Sequence, residues 1–135
     1  MSVFWLPVRV YLEDTDAQGV VYNAGFVRFM ERARTDWLRE RGVDHRAFDE
    51  TLGLSLVLTS IEARFKAPGK LGDILAVSAD LLEIKGARAV FVQEVRRDSS
   101  GGELLVEGRA EVACVDSANG RARRWPAEFV KELNR

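Results

Sequence analysis

Residues 23–42 read NAGFVRFMERARTDWLRERG. Phe26, Met30, Ala33 and Trp37 recur at i, i+4, i+7 and i+11, with Phe29 and Leu38 on the same side. Arg28, Glu31, Arg32, Arg39 and Glu40 fill the remaining positions. That period predicts one long amphipathic helix with a single apolar stripe. Asn23 is its expected N-cap, because its side-chain oxygen can accept from free N–H groups of the first turn. Gly42 is the expected C-cap.

Outward from this helix the pattern changes. Upstream, residues 7–13 (PVRVYLE) alternate Val8 and Val10 against Arg9 and Tyr11, which predicts a strand. The acidic, Gly-containing stretch from Asp14 to Gly19 breaks it. Downstream, a short helix is expected from Asp44 to about Leu52, with Asp44 as cap and Gly53 as its stop. From Leu54 the period becomes two. Ile61, Ala63 and Phe65 alternate with Glu62, Arg64 and Lys66; Leu75, Val77, Ala79 and Leu81 form one face of the next strand. Val90 to Val95 forms another after a turn at Lys85-Gly86. Leu104, Val106, Gly108, Ala110, Val112 and Cys114 form the inner face of a long strand after the turn Ser99-Ser100-Gly101-Gly102. A last short strand is expected near Arg121 to Trp125, after the turn Ala118-Asn119-Gly120. Pro126 suits the first turn of a terminal helix carrying Phe129, Val130 and Leu133. Strand, long helix, then a run of antiparallel strands is α+β architecture, with the helix on one face of a meander-like sheet. Its edge strands are candidates for pairing between subunits.

The 135 residues suit one domain, residues 1–135, with no repeat, linker or low-complexity tract. Lys+Arg number 20 against Asp+Glu 21, a net charge of −1, which argues against a nucleic-acid binder. Cys114 is the only cysteine and His45 the only histidine, so neither an internal disulfide nor a zinc framework is available. Cys114 is expected as a small buried strand residue. No metal or organic cofactor is implied. The start MSVFWLPVRV lacks the basic n-region of a signal peptide, and no apolar run approaches the ~20 residues that span a bilayer. Cytoplasmic residence without membrane insertion is the expectation.

The chemistry concentrates in residues 8–24, VRVYLEDTDAQGVVYNA. They bring a carboxylate close in sequence to a helix N-terminus, where free N–H groups and the positive end of the dipole lie. Such an end can polarise a carbonyl, and a nearby Asp can attack that carbonyl or activate a water. Asp-Thr-Asp followed by Gly is equally a turn composition, with acids that satisfy turn N–H groups. The residues alone leave both readings open and favour the turn.

This segment resembles the signature of the hotdog thioesterases, in particular the 4-hydroxybenzoyl-CoA thioesterase branch. Within it, the chain is similar to the bacterial acyl-CoA thioesterases encoded beside the Tol–Pal envelope system. VRVYLEDTD, GVVYN and FMERARTDWL follow that subgroup's order and spacing without gaps. FKAPGKLGDIL, GARAVFVQEV and ACVD extend the likeness over nearly the whole chain. The resemblance implies a hotdog fold, an antiparallel sheet wrapped around one long helix. It implies hydrolysis of an acyl-CoA thioester to a free acid and CoA. It maps the catalytic aspartate to Asp16, as nucleophile or as general base, and the carbonyl-polarising backbone N–H to about Asn23. It also implies a homodimer or homotetramer with the active site at the subunit interface. An acyl-carrier protein stands as alternative donor or binding partner.

Two positions depart from that subgroup. Leu12 stands where a Tyr is usual, and Asn23 where a His is frequent. The second change removes a titratable group but keeps a donor and an acceptor. A hotdog dehydratase would pair a His with an acid, and His45 is badly placed for it. Glu13 and Asp14 are expected as solvated turn groups, His45 as surface, and Tyr22 as packing. Trp5, Trp37 and Trp125 are expected in the core or an interface. Arg64, Lys66, Lys70, Lys85 and Arg88 suit the phosphates of CoA no better than they suit a solvated strand face.

Overall fold

The structure, a computed structural model, describes residues 3–134. Strand β1 (Phe4–Arg9) leads through a single 3-10 turn (Leu12–Asp14) to α1 (Asn23–Glu40) and α2 (His45–Leu52). Four strands follow, β2 (Leu54–Phe65), β3 (Ile74–Lys85), β4 (Arg88–Arg97) and β5 (Leu104–Asp116), and then α3 (Ala127–Leu133). The five strands form one antiparallel sheet in the order β1-β3-β4-β5-β2.

β3, β4 and β5 are the expected meander, but β2 is not part of it. It crosses to the far edge and pairs with β5, Leu54 opposite Asp116 and Phe65 opposite Val106. Local periodicity marks β2 as a strand but carries no information on which neighbour it takes.

The helix expected from the 3.6 period runs from Asn23 to Glu40, and its stripe is the core. Phe26, Phe29, Met30, Ala33, Trp37 and Leu38 are buried against inner-face residues Leu75, Val77, Phe91, Val95 and Ala110. Phe91 is fully buried and meets the Trp37 ring edge-on at 5.3 Å. Gly108 seats the helix. A Cβ there would lie 2.8 Å from Met30 Sδ, so the missing side chain lets α1 approach β5. Gln93 ties the same turn: its Nε2 donates to Met30 C=O at 2.9 Å, and its Oε1 accepts from buried Arg34 at 2.9 Å. Burial lowers the pKa of the Arg34 guanidinium, with Glu31 pulling the other way.

Several boundaries move. The first strand ends at Arg9 rather than residue 13, because Tyr11 N–H turns back to the Asp14 carboxylate at 2.8 Å and closes the 3-10 turn. Tyr22, not Asn23, is the N-cap of α1, and Asn23 is the first helical residue. Gly42 follows the C-cap Arg41. Asp44 caps α2 as expected, accepting from Ala47 N–H at 3.1 Å, and Gly53 ends it. The last strand near residues 121–125 shrinks to one bridge, Val115 with Ala122, and Pro126 stands at the N-cap of α3. Trp125 is buried there against Phe48, its indole N–H donating to Ala87 C=O at 3.0 Å. Cys114 is buried on β5 as expected, and burial pushes its thiol pKa up. Among the described residues, no helix is long and apolar enough to cross a membrane.

Candidate active site

Thr15 to Val21 form a miniature hairpin between β1 and α1. Thr15 bridges Val21, Asp16 N–H donates to Val20 C=O at 2.9 Å, and Gly19 N–H returns to Asp16 C=O at 3.0 Å. Asp16 is exposed at its tip, and Oδ1 accepts Gln18 N–H at 2.8 Å. The turn role that residue chemistry favoured is therefore real. It uses one carboxylate oxygen, and among the described residues no donor reaches Oδ2.

The hairpin delivers the chain to α1. Val21 N–H donates to Gly69 C=O at 2.7 Å, and Tyr22 N–H to Asp14 C=O at 3.1 Å. Tyr22 makes no side-chain cap hydrogen bond. Gly25 N–H bonds Tyr22 C=O at 2.7 Å, whereas Asn23 and Ala24 precede any carbonyl the helix itself can offer. An exposed carboxylate and an uncapped helix end are thus joined by one short ladder. The 18-residue α1 places the positive end of its dipole there.

Asp14 is the residue that sequence reasoning misjudged. It is only 6% exposed, its Oδ2 accepting Tyr11 N–H at 2.8 Å and its Oδ1 lying 3.4 Å from Arg28 Nη2. With its carbonyl on Tyr22 N–H it welds the end of β1 to the start of α1. Its spacing of three from Tyr11 was the available signal.

The hairpin rests on residues 66–73. Val20 bridges Lys70, and Leu71 N–H donates to Gly19 C=O at 3.2 Å. Leu12, Tyr22, Phe65 and Leu71 are exposed large apolar residues of this region, Leu12 at 75%. Tyr22, expected in packing, is 58% exposed. A groove of about 590 Å³ between β1 and α1 adjoins through Tyr11 and Asp14.

The cations divide. Lys66 and Lys70 lie in the segment beside the hairpin, Lys66 within 3.9 Å of Glu107. Lys85 and Arg88 flank the β3–β4 turn at the opposite end of the strands, where Arg88 is bound to Glu83 and Glu111. Arg64 is exposed on edge strand β2. His45 is exposed beyond the C-terminus of α1. Eighteen residues of helix, about 27 Å, separate it from Asn23, so it cannot serve as base there. Among the described residues no His, Cys, Asp and Glu cluster fits a metal ion.

Comparison with known proteins gives the family and the fold. The acyl-CoA thioesterase YbgC of Haemophilus influenzae is 38% identical over 130 residues, 96% of this chain and 90% of that protein. A probable thioesterase from Bartonella henselae of solved structure is 29% identical with a TM-score of 0.84, over 93% of this chain and all of that one. A 1,4-dihydroxy-2-naphthoyl-CoA thioesterase from Synechocystis shares the fold, TM-score 0.88 at 23% identity, over 98% of this chain and 96% of that one. The match to the superfamily itself spans residues 10–133, from the end of the first strand through α3, and the chain belongs to the thioesterase-like superfamily.

Proposed function

We propose that this protein hydrolyses an acyl-CoA thioester to the free carboxylic acid and CoA. Asp16 acts as nucleophile on the thioester carbon or as general base on water. The carbonyl oxygen is held by backbone N–H groups at the start of α1, about Asn23. The observation that carries this is Asp16 Oδ2, left open at the tip of a hairpin laddered onto an uncapped helix end. Negative charge developing on the oxygen is stabilised by fixed N–H dipoles, and the thiol leaves with the proton water supplies. Relatives named as acyl-CoA thioesterases support the reaction class. Leu12 and Asn23 supply no phenol and no imidazole, so neither serves as a base.

Assembly belongs to the same proposal. β2 is an edge strand whose Val57, Leu58 and Phe65 are exposed, 45%, 42% and 44%. An open edge with apolar side chains favours pairing with a second copy. A homodimer, or a homotetramer of two such pairs, would then enclose the substrate at a subunit interface. A cytoplasmic location suits the single free thiol, Cys114.

The test is thiol release from CoA esters of graded chain length plus benzoyl and phenylacetyl types. Turnover is expected with at least one of them. Absence of hydrolysis throughout, with capture of an acyl-carrier protein instead, would replace the enzyme with a binding protein. Sedimentation should show dimer or tetramer, and Leu58→Lys should shift it toward monomer with loss of activity. A wild-type protein that is fully active as a monomer contradicts the shared site.

A further inference from the structure

We propose that Arg97 is a positioning residue for Asp16, acting through residues 68–73; this rests on the role of Asp16 given above. Arg97 is the last residue of β4, on the inner-face parity of Val95 but beyond the core. Its guanidinium grips both ends of the segment that carries the hairpin. Nη2 donates to Pro68 C=O at 2.8 Å, Nη1 pairs with Asp73 Oδ2, and Nε lies 3.3 Å from Glu103. Asp73 Oδ2 also accepts Lys70 N–H at 2.8 Å, and Asp73 N–H returns to Lys70 C=O at 3.0 Å. Between these anchors lie the contacts that hold the hairpin: Gly69 C=O on Val21 N–H, Lys70 bridging Val20, and Leu71 N–H on Gly19 C=O. Val20 C=O in turn takes Asp16 N–H.

The clamp is rigid on its sheet side. Arg97 N–H donates to Glu103 C=O at 2.9 Å, and a Cβ on Gly102 would lie 1.7 Å from Arg97 C=O. The turn after β4 therefore closes directly on the Arg97 backbone, and only glycine allows it. Arg97 and Asp73 are about one-fifth exposed, 22% and 21%, whereas the surface pair Arg46 and Glu50 is 87% and 65% exposed. A planar fork can serve three acceptors at fixed angles, which a lysine cannot.

The clamp is one of several ties between this segment and the rest of the fold. The segment is also tied by Val10 N–H to Asp73 C=O, Gly72 N–H to Val10 C=O and Lys66 N–H to Leu105 C=O. Loss of the guanidinium therefore loosens residues 68–71 and displaces Asp16 while the sheet remains intact. A displacement on the order of 1 Å at a reacting group costs up to about 100-fold in rate.

The test compares Arg97→Gln, Arg97→Lys and Arg88→Gln in the full chain, with kcat, KM and thermal unfolding measured on a CoA ester the wild type hydrolyses. Arg88 makes a comparably dense ion-pair cluster at the opposite end of the sheet, so it controls for general destabilisation. Arg97→Gln should lower kcat about 10- to 100-fold with KM within about threefold, and Arg97→Lys should fall between it and wild type. Arg88→Gln should leave kcat unchanged. A folded Arg97→Gln with wild-type kcat overturns the proposal, as does an equal fall in Arg88→Gln. If Arg97→Gln does not fold, Asp73→Asn decides, since it keeps the acceptor for Lys70 N–H while weakening the ion pair; wild-type kcat there overturns the proposal and a fall supports it. Retention of wild-type kcat in Asp16→Asn would instead remove the reading on which the clamp depends.

Discussion

Asp16→Asn is expected to lower kcat about 10³-fold, within the ~10²–10⁴ range that a positioned acid or base contributes, and to change KM little. The substitution isolates chemistry from structure. Asn keeps an oxygen that can accept Gln18 N–H, the bond that Asp16 Oδ1 makes at 2.8 Å, so the hairpin tip is preserved. It removes the charged, open Oδ2. Thermal unfolding should therefore match wild type while thiol release collapses. A folded Asp16→Asn protein within about threefold of wild-type kcat would reduce Asp16 to a turn residue, on the same scale of effects.

Phe91→Ala is the largest expected loss of stability, about 3–5 kcal/mol. Phe91 is fully buried at the centre of the sheet, opposite Ala110 on β5 and Leu81 on β3, with its ring 5.3 Å from Trp37 on α1. Alanine leaves a void between helix and sheet that neighbours fill only in part, because the ring bridges two layers. Urea unfolding should show a lower midpoint with an unchanged slope, the mark of lost stability rather than an altered end state. Phe91 lies six residues along β4 from Arg97, so kcat per folded molecule should be retained. A loss below about 1 kcal/mol would mean that α1 does not pack on the sheet as described.

What was legible in the sequence was what one segment decides alone. The stripe Phe26, Met30, Ala33, Trp37 fixed the helix, and Asp44 with Gly53 bracketed α2. Alternation from Val106 to Cys114 fixed the inner face of β5, but the pairing with β4 slips between Val106 and Leu104, and Leu105 rather than Leu104 enters the core. What two distant segments decide was not legible. The crossing of β2 to pair with β5 depends on neighbours more than forty residues away in sequence, and its period of two is satisfied on either edge. Asp14 looked like a solvated turn acid because nothing local shows that Arg28 and Tyr22 close over it. Gln93 gave a signal that was overlooked. A polar residue between Phe91 and Val95 on an apolar face marks a buried hydrogen-bonded group, and Arg34, four residues after Met30, is its partner. Asp16 was found by resemblance rather than by pattern, since a turn acid and a catalytic acid share the same composition. Arg97 was invisible, because its meaning lies in the loop it holds.

The most direct measurement is a crystal structure of Asp16→Asn with an intact acyl-CoA bound. The account predicts the thioester carbon about 3.5 Å or less from the residue 16 side chain, and the carbonyl oxygen within hydrogen-bond distance of the Asn23 or Ala24 backbone N–H. A thioester bound elsewhere, with its carbonyl turned away from the start of α1, would contradict it.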